Sequence, residues 1–298
     1  MQAKRPVLKR LVTDPLLATL FLILYSVFRT MKFSVASTFG GWIGNFIGPY
    51  LPIHQRAIDN LKRAFPQKNN EEIESIANGM WNNLGRFIGE CPHLGKINVY
   101  DPLGCFEVVG GEYIDLLHNE AKTCIFFSGH LANWEIVPLS ATQRGIPIDR
   151  VYRAANNSFM EKIYQHARSG IEGELIQKGP LGARKLLRSI KGGHHIGMLV
   201  DQKMNDGIPI PFFGHDAMTA PALAELALRF KCPVVPTRAE RIAGSTLRII
   251  IEPPLKFIPS GNRKTDVKMI MKMVNEKLED WIRETPEQWF WLHNRWPR

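Results

Sequence analysis

The chain has 298 residues, 38 Lys and Arg against 28 Asp and Glu for a formal charge of +10, and is 45% hydrophobic and 22% charged. That much apolar material excludes a disordered chain, and a single hydrophobic region near the start excludes a polytopic membrane protein. The four cysteines, Cys91, Cys105, Cys124 and Cys232, form no Cys-x-x-Cys pair, so neither a disulfide framework nor a thiolate zinc cluster is supported. The positive balance favours an anionic partner: nucleic acid, an anionic membrane, a phosphorylated lipid or an acidic protein.

Four basic residues, Lys4, Arg5, Lys9 and Arg10, precede the uncharged run PLLATLFLILYSVF at residues 15–28, and Arg29 and Lys32 follow it. As a helix those 14 residues span about 21 Å, short of a hydrocarbon core of about 30 Å, so the run reads as an anchor rather than a span. Val35, Ala36 and Ser37 imitate a signal cleavage site, but two positive charges separate them from the apolar run. Residues 33–53 carry no charge and hold Gly40, Gly41, Gly44 and Gly48, at spacings that allow close helix packing or an ordinary glycine-containing loop. Residues 1–53 are therefore expected to form a membrane-anchoring region, and residues 54–298 a single catalytic domain.

From residue 54 to 90 the apolar spacing predicts two helices separated at Pro66. Beyond residue 101 short β-rich runs occupy residues 106–109, 123–127, 148–152, 195–200, 233–236 and 247–251. Helical stretches over residues 157–168, 181–190 and 221–230 alternate with them. The pattern predicts an α/β fold, a central mixed sheet flanked by helices. Val267, Ile270, Met271, Val274, Leu278 and Trp281 outline a last amphipathic helix.

The segment FFSGHLANWE places His130 straight after a β-like run and Glu135 five residues later. Residues five apart differ by about 140° around a helix, so His130 is expected in the turn and Glu135 in the following helical turn, folding back towards it. Such a pair suits general-base chemistry, with the imidazole taking a hydroxyl proton and the carboxylate holding its other N–H; a capping histidine and a dipole-facing glutamate fit the spacing equally. The His-Glu-x-x-His zinc arrangement is absent, as is a Gly-x-Ser-x-Gly elbow. No nucleic-acid module or dense basic stripe is present.

The whole chain resembles the late acyltransferases of lipid A biosynthesis, the lauroyl/myristoyl transferase family. Its His-x4-acid block is similar to FSGHLANWE here, and its helical signatures to RAIDNLKRAFP at residues 56–66 and WNNLGR at 81–86. Tyr152-Arg153 with Asn156, Arg168, Asp201-Gln202, PFFG at residues 211–214 and PEQWFWLHNRW at 286–296 follow in family order. Ala154 stands where many members carry proline. The resemblance implies a glycerolipid-acyltransferase-like fold with an amino-terminal hydrophobic membrane-anchoring helix, and transfer of a fatty acyl chain from acyl carrier protein to a hydroxyl of a lipid A precursor. It implies no cofactor, and a site on the cytoplasmic face of the inner membrane. His130 and Glu135 would be catalytic, with Glu135 orienting His130. Asn133, Arg153, Arg168, Asp201 and Gln202 would bind substrate.

Several of these residues also have plainer readings. Arg153 and Arg168 suit phosphate oxygens, while Arg168 near a helix end also suits dipole complementation. Asp201 ends a β-like run where α/β proteins place ligand-facing residues, or starts a turn. His293 and Arg295 fit a packed aromatic terminus as well as a site. Two other functions share these features: an acyltransferase for glycerophospholipids or another glycolipid, and a basic membrane-surface protein without activity.

Overall fold

A computed structural model describes residues 12–119 and 122–296. The basic cluster from Lys4 to Arg10 lies outside the described residues. The apolar amino-terminal region folds as two helices, α1 (Asp14–Thr30) and α2 (Phe33–Ile47), broken at Met31-Lys32. Among the described residues no helix is long and apolar enough to cross a membrane. The expectation of one anchoring helix is thus corrected to a pair of short helices. Lys32 enters the second helix in an extended conformation, which ends the apolar run after four turns.

Helices α3 (His54–Ala64) and α4 (Asn70–Glu90) follow, the second opened by a capping box in which Asn69 accepts from the Glu72 N–H and Glu72 accepts from the Asn69 N–H. Helix α2 lies on α4 in backbone contact. A Cβ on Gly40, Gly44 or Gly89 would overlap the carbonyl of Gly85, Trp81 or Ala36 opposite, so only glycine permits the approach.

The remaining chain alternates β1 (Phe106–Val109), α5 (Gly111–Asn119), β2 (Ile125–Ser128), α6 (Leu139–Thr142), β3 (Ile148–Tyr152), α7 (Ser158–Arg168), β4 (Leu175–Gln177), α8 (Pro180–Lys191) and β5 (His195–Leu199). A hairpin, β6 (Ile208–Phe212) and β7 (His215–Thr219), stands apart as its own two-stranded sheet. Then come α9 (Ala222–Phe230), β8 (Val234–Ala243), β9 (Thr246–Ile251) and α10 (Arg263–Glu284). The main sheet has seven strands in the order β1-β9-β8-β2-β5-β3-β4, all neighbours parallel except β8 with β9. It is the mixed, helix-flanked sheet that the sequence predicts.

Strand β2 sits mid-sheet with all four residues buried, as parallel strands covered on both faces require. One core cluster joins Phe127, Leu223, Ile270, Leu278 and Trp281 to the tryptophans of the carboxy terminus, and a second gathers Phe126, Ile136, Leu139 and Ile249. The sheet is therefore sealed above and below. What stays open is the end where β2 and β5 deliver their following residues.

Candidate active site

In the parallel register of β2 and β5, Ser128 stands opposite Leu199. Continuing two residues past each strand brings His130 and Asp201 side by side, at the carboxyl ends where open α/β sheets carry their ligands. His130 Nδ1 lies 2.7 Å from Asp201 Oδ1, and the His130 backbone N–H donates to Asp201 Oδ2 at 2.8 Å. Trp289 Nε1 donates to the same Oδ2 at 2.8 Å.

Burial alone would raise the Asp201 carboxyl, but the His130 ring and these hydrogen bonds outweigh it and hold the group well below the usual carboxylate range. Asp201 is thus an ionised acceptor, and Nδ1 of His130 must carry the proton. That leaves Nε2 as the ring's lone pair, with the Gln202 side-chain amide 3.4 Å away.

Glu135 does not face His130. Its carboxylate takes both Nε (2.8 Å) and an Nη of Arg168 and accepts from Trp134 Nε1 at 3.1 Å. Burial works to raise this carboxyl too, and the Arg168 charge and hydrogen bonds turn the shift downward. The expected orientation of His130 by Glu135 is therefore corrected: Asp201 holds the ring, and Glu135 belongs to Arg168. The physical reason is the turn after β2, where Ala132 takes a φ of 47° and a short 3-10 turn at Trp134–Ile136 carries Glu135 away towards α7. Trp134 stands between the two pairs, its ring 4.8 Å from that of His130 and stacked at 4.1 Å on Phe87.

Asn133 is fully buried. Its amide donates to Glu90 Oε2 at 2.8 Å, inside a network where Arg241 pairs with both Glu90 oxygens and Ser37 donates to Oε1 at 2.7 Å. The structure places Asn133 in the scaffold of the turn, away from any surface a substrate could reach. Arg153 and Arg168, which the sequence treats together, separate into two places.

Arg168 and the buried Arg150 edge a mainly apolar cavity of about 80 Å³ that also holds Glu135, Phe126, Val137 and Met198. Burial pushes the Arg150 guanidinium down to about 10, and its Nε and one Nη find no hydrogen-bond partner among the described residues. Ser128 and Trp134, on either side of His130, both line this cavity. Ser128 is buried with its hydroxyl turned to the Gly129 carbonyl at 3.3 Å. Arg153 and Gln202 instead line a second, larger groove.

Residues 286–296 close the site. Ala132 N–H donates to the Gln288 carbonyl at 2.9 Å and Phe290 N–H to the His130 carbonyl at 3.1 Å. The Asn60 amide holds the Trp291 and His293 carbonyls, which explains the helical signature around residue 60. His293 packs edge-on to Trp289 with its ring 6.2 Å from that of His130, and burial pushes it down to about 4. Arg295 is fully buried on Thr219 and Asn275. Trp289, Glu90 and Arg150 carry roles that the sequence reading did not assign. The one visible signal was the pair of charges inside the mainly buried strand IDRVY.

The sequence matches the bacterial lipid A biosynthesis acyltransferase family from residue 7 to residue 298. The chain belongs to that family. A lipid A biosynthesis acyltransferase of Haemophilus influenzae is 22% identical over 278 residues, covering 92% of this chain and 83% of that protein. The Escherichia coli lipid A biosynthesis myristoyltransferase is 22% identical over 80% of this chain and 73% of its own. The Escherichia coli palmitoleoyltransferase is 23% identical over 89% and 86%. In this family member the acid of the His-x4-acid block and the acid that grips the histidine are different residues.

Proposed function

We propose that the protein transfers a fatty acyl chain from the thioester of acyl carrier protein to a hydroxyl of a lipid A precursor, with His130 as general base and Asp201 as its positioning carboxylate. The observation that carries this reading is the His130–Asp201 pair, its Nε2 lone pair directed away from the carboxylate, next to an apolar cavity in a chain of this family.

The acceptor hydroxyl gives its proton to His130 Nε2 as its oxygen attacks the thioester carbonyl. Asp201 compensates the imidazolium that forms. When the tetrahedral intermediate collapses, the C–S bond breaks and the imidazolium returns the proton to the leaving thiolate, giving an ester and a free thiol. No acyl-enzyme forms. The cavity bounded by Glu135, Arg168 and Phe126 would receive the acyl chain, and the Glu135–Arg168 pair would fix its rim.

The +10 chain suits an acidic carrier protein as donor. For the membrane, Leu16, Leu20, Ile23, Phe39, Trp42 and Phe46 are exposed along α1 and α2, and Phe39, Trp42 and Phe46 stack into a ladder. An apolar face of this size flanked by Arg29 and Lys32 suits a helix pair lying in the cytoplasmic leaflet of the inner membrane. Residues 1–53 would then attach the protein and residues 54–298 carry the chemistry.

The test is to incubate purified full-length protein with acyl carrier protein thioester and a lipid A precursor, and to follow acylated product by mass spectrometry. A glycerophospholipid acceptor and an acyl-CoA donor of equal chain length run alongside. Product only with the glycerophospholipid would move the assignment to that substrate class, and near-native turnover in folded His130→Ala would end it.

A further inference from the structure

Among the described α-helices, α8 alone carries basic residues and no acidic one. One side of it, with Gly182, Leu186, Ser189 and Ile190, is buried. The other presents Leu181, Arg184, Lys185 and Arg188, which at spacings of three and four share a face, and Lys191 continues the row. All five are exposed, Leu181 by 75%. Lys185 meets Glu174, whereas Arg184, Arg188 and Lys191 form no ion pair among the described residues. In α10, by contrast, Lys272 and Arg283 each find an acid one turn away, at Glu276 and Glu279.

Helix stability does not explain the row. Arg188 and Lys191 complement the carboxy-terminal dipole, but Arg184 and Lys185 lie in the amino-terminal half, where that field favours acids. Like charges four residues apart, as Arg184 and Arg188 are, also destabilise a helix. A complementary partner would return what the row costs.

The position of α8 favours a protein over the bilayer as that partner. Leu186 and Ile190 pack in the core cluster on the Phe127 face of the sheet. Helix α7, through Arg168, walls the cavity on the opposite, Phe126 face. Helix α1 lies against α7, with Phe21 edge-on to Tyr164 and the Asn157 amide donating to the Asp14 carbonyl at 2.9 Å. The sheet thus stands between the basic face and the exposed leucines of α1. The start of α8 opens towards the reacting centre, because Pro180 and Ala183 line the same groove as Gln202, whose amide lies 3.4 Å from His130 Nε2.

We propose that the open face of α8, formed by Leu181, Arg184, Lys185, Arg188 and Lys191, is the docking surface for an acidic helix of a carrier protein. The partner's carboxylates lie along the basic row, and an apolar side chain of that helix covers Leu181. Only the identity of the partner as thioester donor rests on the acyl-transfer reading.

Binding is measured first, without turnover. Full-length protein in neutral detergent is titrated with holo acyl carrier protein bearing no acyl chain, at about 0.1 M and about 1 M salt, between which the reach of charge falls from about 10 Å to about 3 Å. The wild type should bind at the lower salt and lose most of that affinity at the higher. Arg184→Glu/Arg188→Glu should weaken low-salt binding at least about tenfold, and a charge-reversed carrier protein should recover it. Both positions are exposed, so an unchanged thermal midpoint is expected, and Arg184→Gln/Arg188→Gln should give a smaller loss in the same direction. Absence of salt-sensitive binding by wild type, or binding that survives the reversal, overturns the docking surface. Sedimentation of the reversed protein with phosphatidylglycerol vesicles should match the wild type; a fall there with carrier binding intact assigns the row to the membrane and overturns the proposal.

Kinetics separate this outcome from that of the acyl-transfer reading. With acyl carrier protein as donor the reversed protein should show a raised KM and a nearly unchanged kcat. With acyl-pantetheine of the same chain, which lacks the protein, both should stay at the wild-type value. A KM raised equally for both donors overturns docking, because the row would then act on the acyl arm. A wild type that binds carrier protein through α8 and transfers nothing defeats the acyl-transfer reading alone.

Discussion

Two acid–base pairs sit within one turn of chain, and they are built for opposite ends. In the His130–Asp201 pair the carboxylate is wholly buried and triply donated to, while the ring's second nitrogen is left with only a 3.4 Å contact from Gln202. In the Glu135–Arg168 pair the two charges grip each other in bidentate fashion, and Tyr152 and Tyr164 flank the guanidinium. The first keeps a lone pair in hand and the second spends itself on structure. Neighbours in sequence thus joined different partners, because a parallel register set one and a short helical turn the other.

The contrast can be broken most directly at His130. His130→Ala is expected to cut transfer 10²- to 10⁴-fold with the thermal midpoint nearly unchanged, since it removes the base and little packing. Product formation and melting are measured on the same preparation. Asp201→Asn should come next, losing at least 10²-fold in kcat with KM little altered, because a neutral amide no longer compensates the imidazolium.

For Glu135→Ala the loss should instead track stability. It strands the Arg168 guanidinium in a cavity wall, a change on the order of 3–5 kcal/mol for a buried pair. Replacing both, as in Glu135→Leu with Arg168→Met, should recover much of the melting temperature and, with it, much of the transfer. If Glu135→Ala melts like the wild type, the two pairs do not differ as described.

The smallest effect is a pH effect. His293 is held at about 4 when folded, against about 6.5 in an unfolded chain. Its folded value is depressed, so the unfolded chain binds more protons and stability falls as pH drops from about 6.5 to about 4. His293→Phe should flatten that part of a urea-midpoint profile. Asp201, depressed as well, adds stability above the ordinary carboxylate range that is lost only under stronger acid.

The sheet was largely legible. Strands β1 and β3 have the bounds that β-rich runs predict, and α7 to α9 agree within a residue. The β6–β7 hairpin was not, because IPIPF carries two prolines that argue against a strand and are tolerated only outside a central ladder. Strand β8 runs on to Ala243, past the predicted end, through Arg238, Glu240 and Arg241. Antiparallel pairing with β9 sets Arg238 and Glu240 on one face and Arg241 on the other. At the site, position after a strand was enough to single out His130 and Asp201. That they touch needed a strand order no single sequence displays, and the bond from Asn133 to Glu90, 43 residues away, was equally hidden.

That partner has a mechanical consequence. Glu90 is joined at once to Ser37 of α2, Arg241 of β8 and Asn133 beside the catalytic turn, and it has no contact with water. Peeling α2 from α4 would bare a charge pair whose two ends lie in different layers of the fold. The helix that carries the Trp42 ladder and the loop that aims His130 therefore form one rivet. On the proposed seating of α2 in a bilayer, a pull on that helix would reach the loop that carries His130, so agents that loosen α2 are expected to lower transfer before they release the protein.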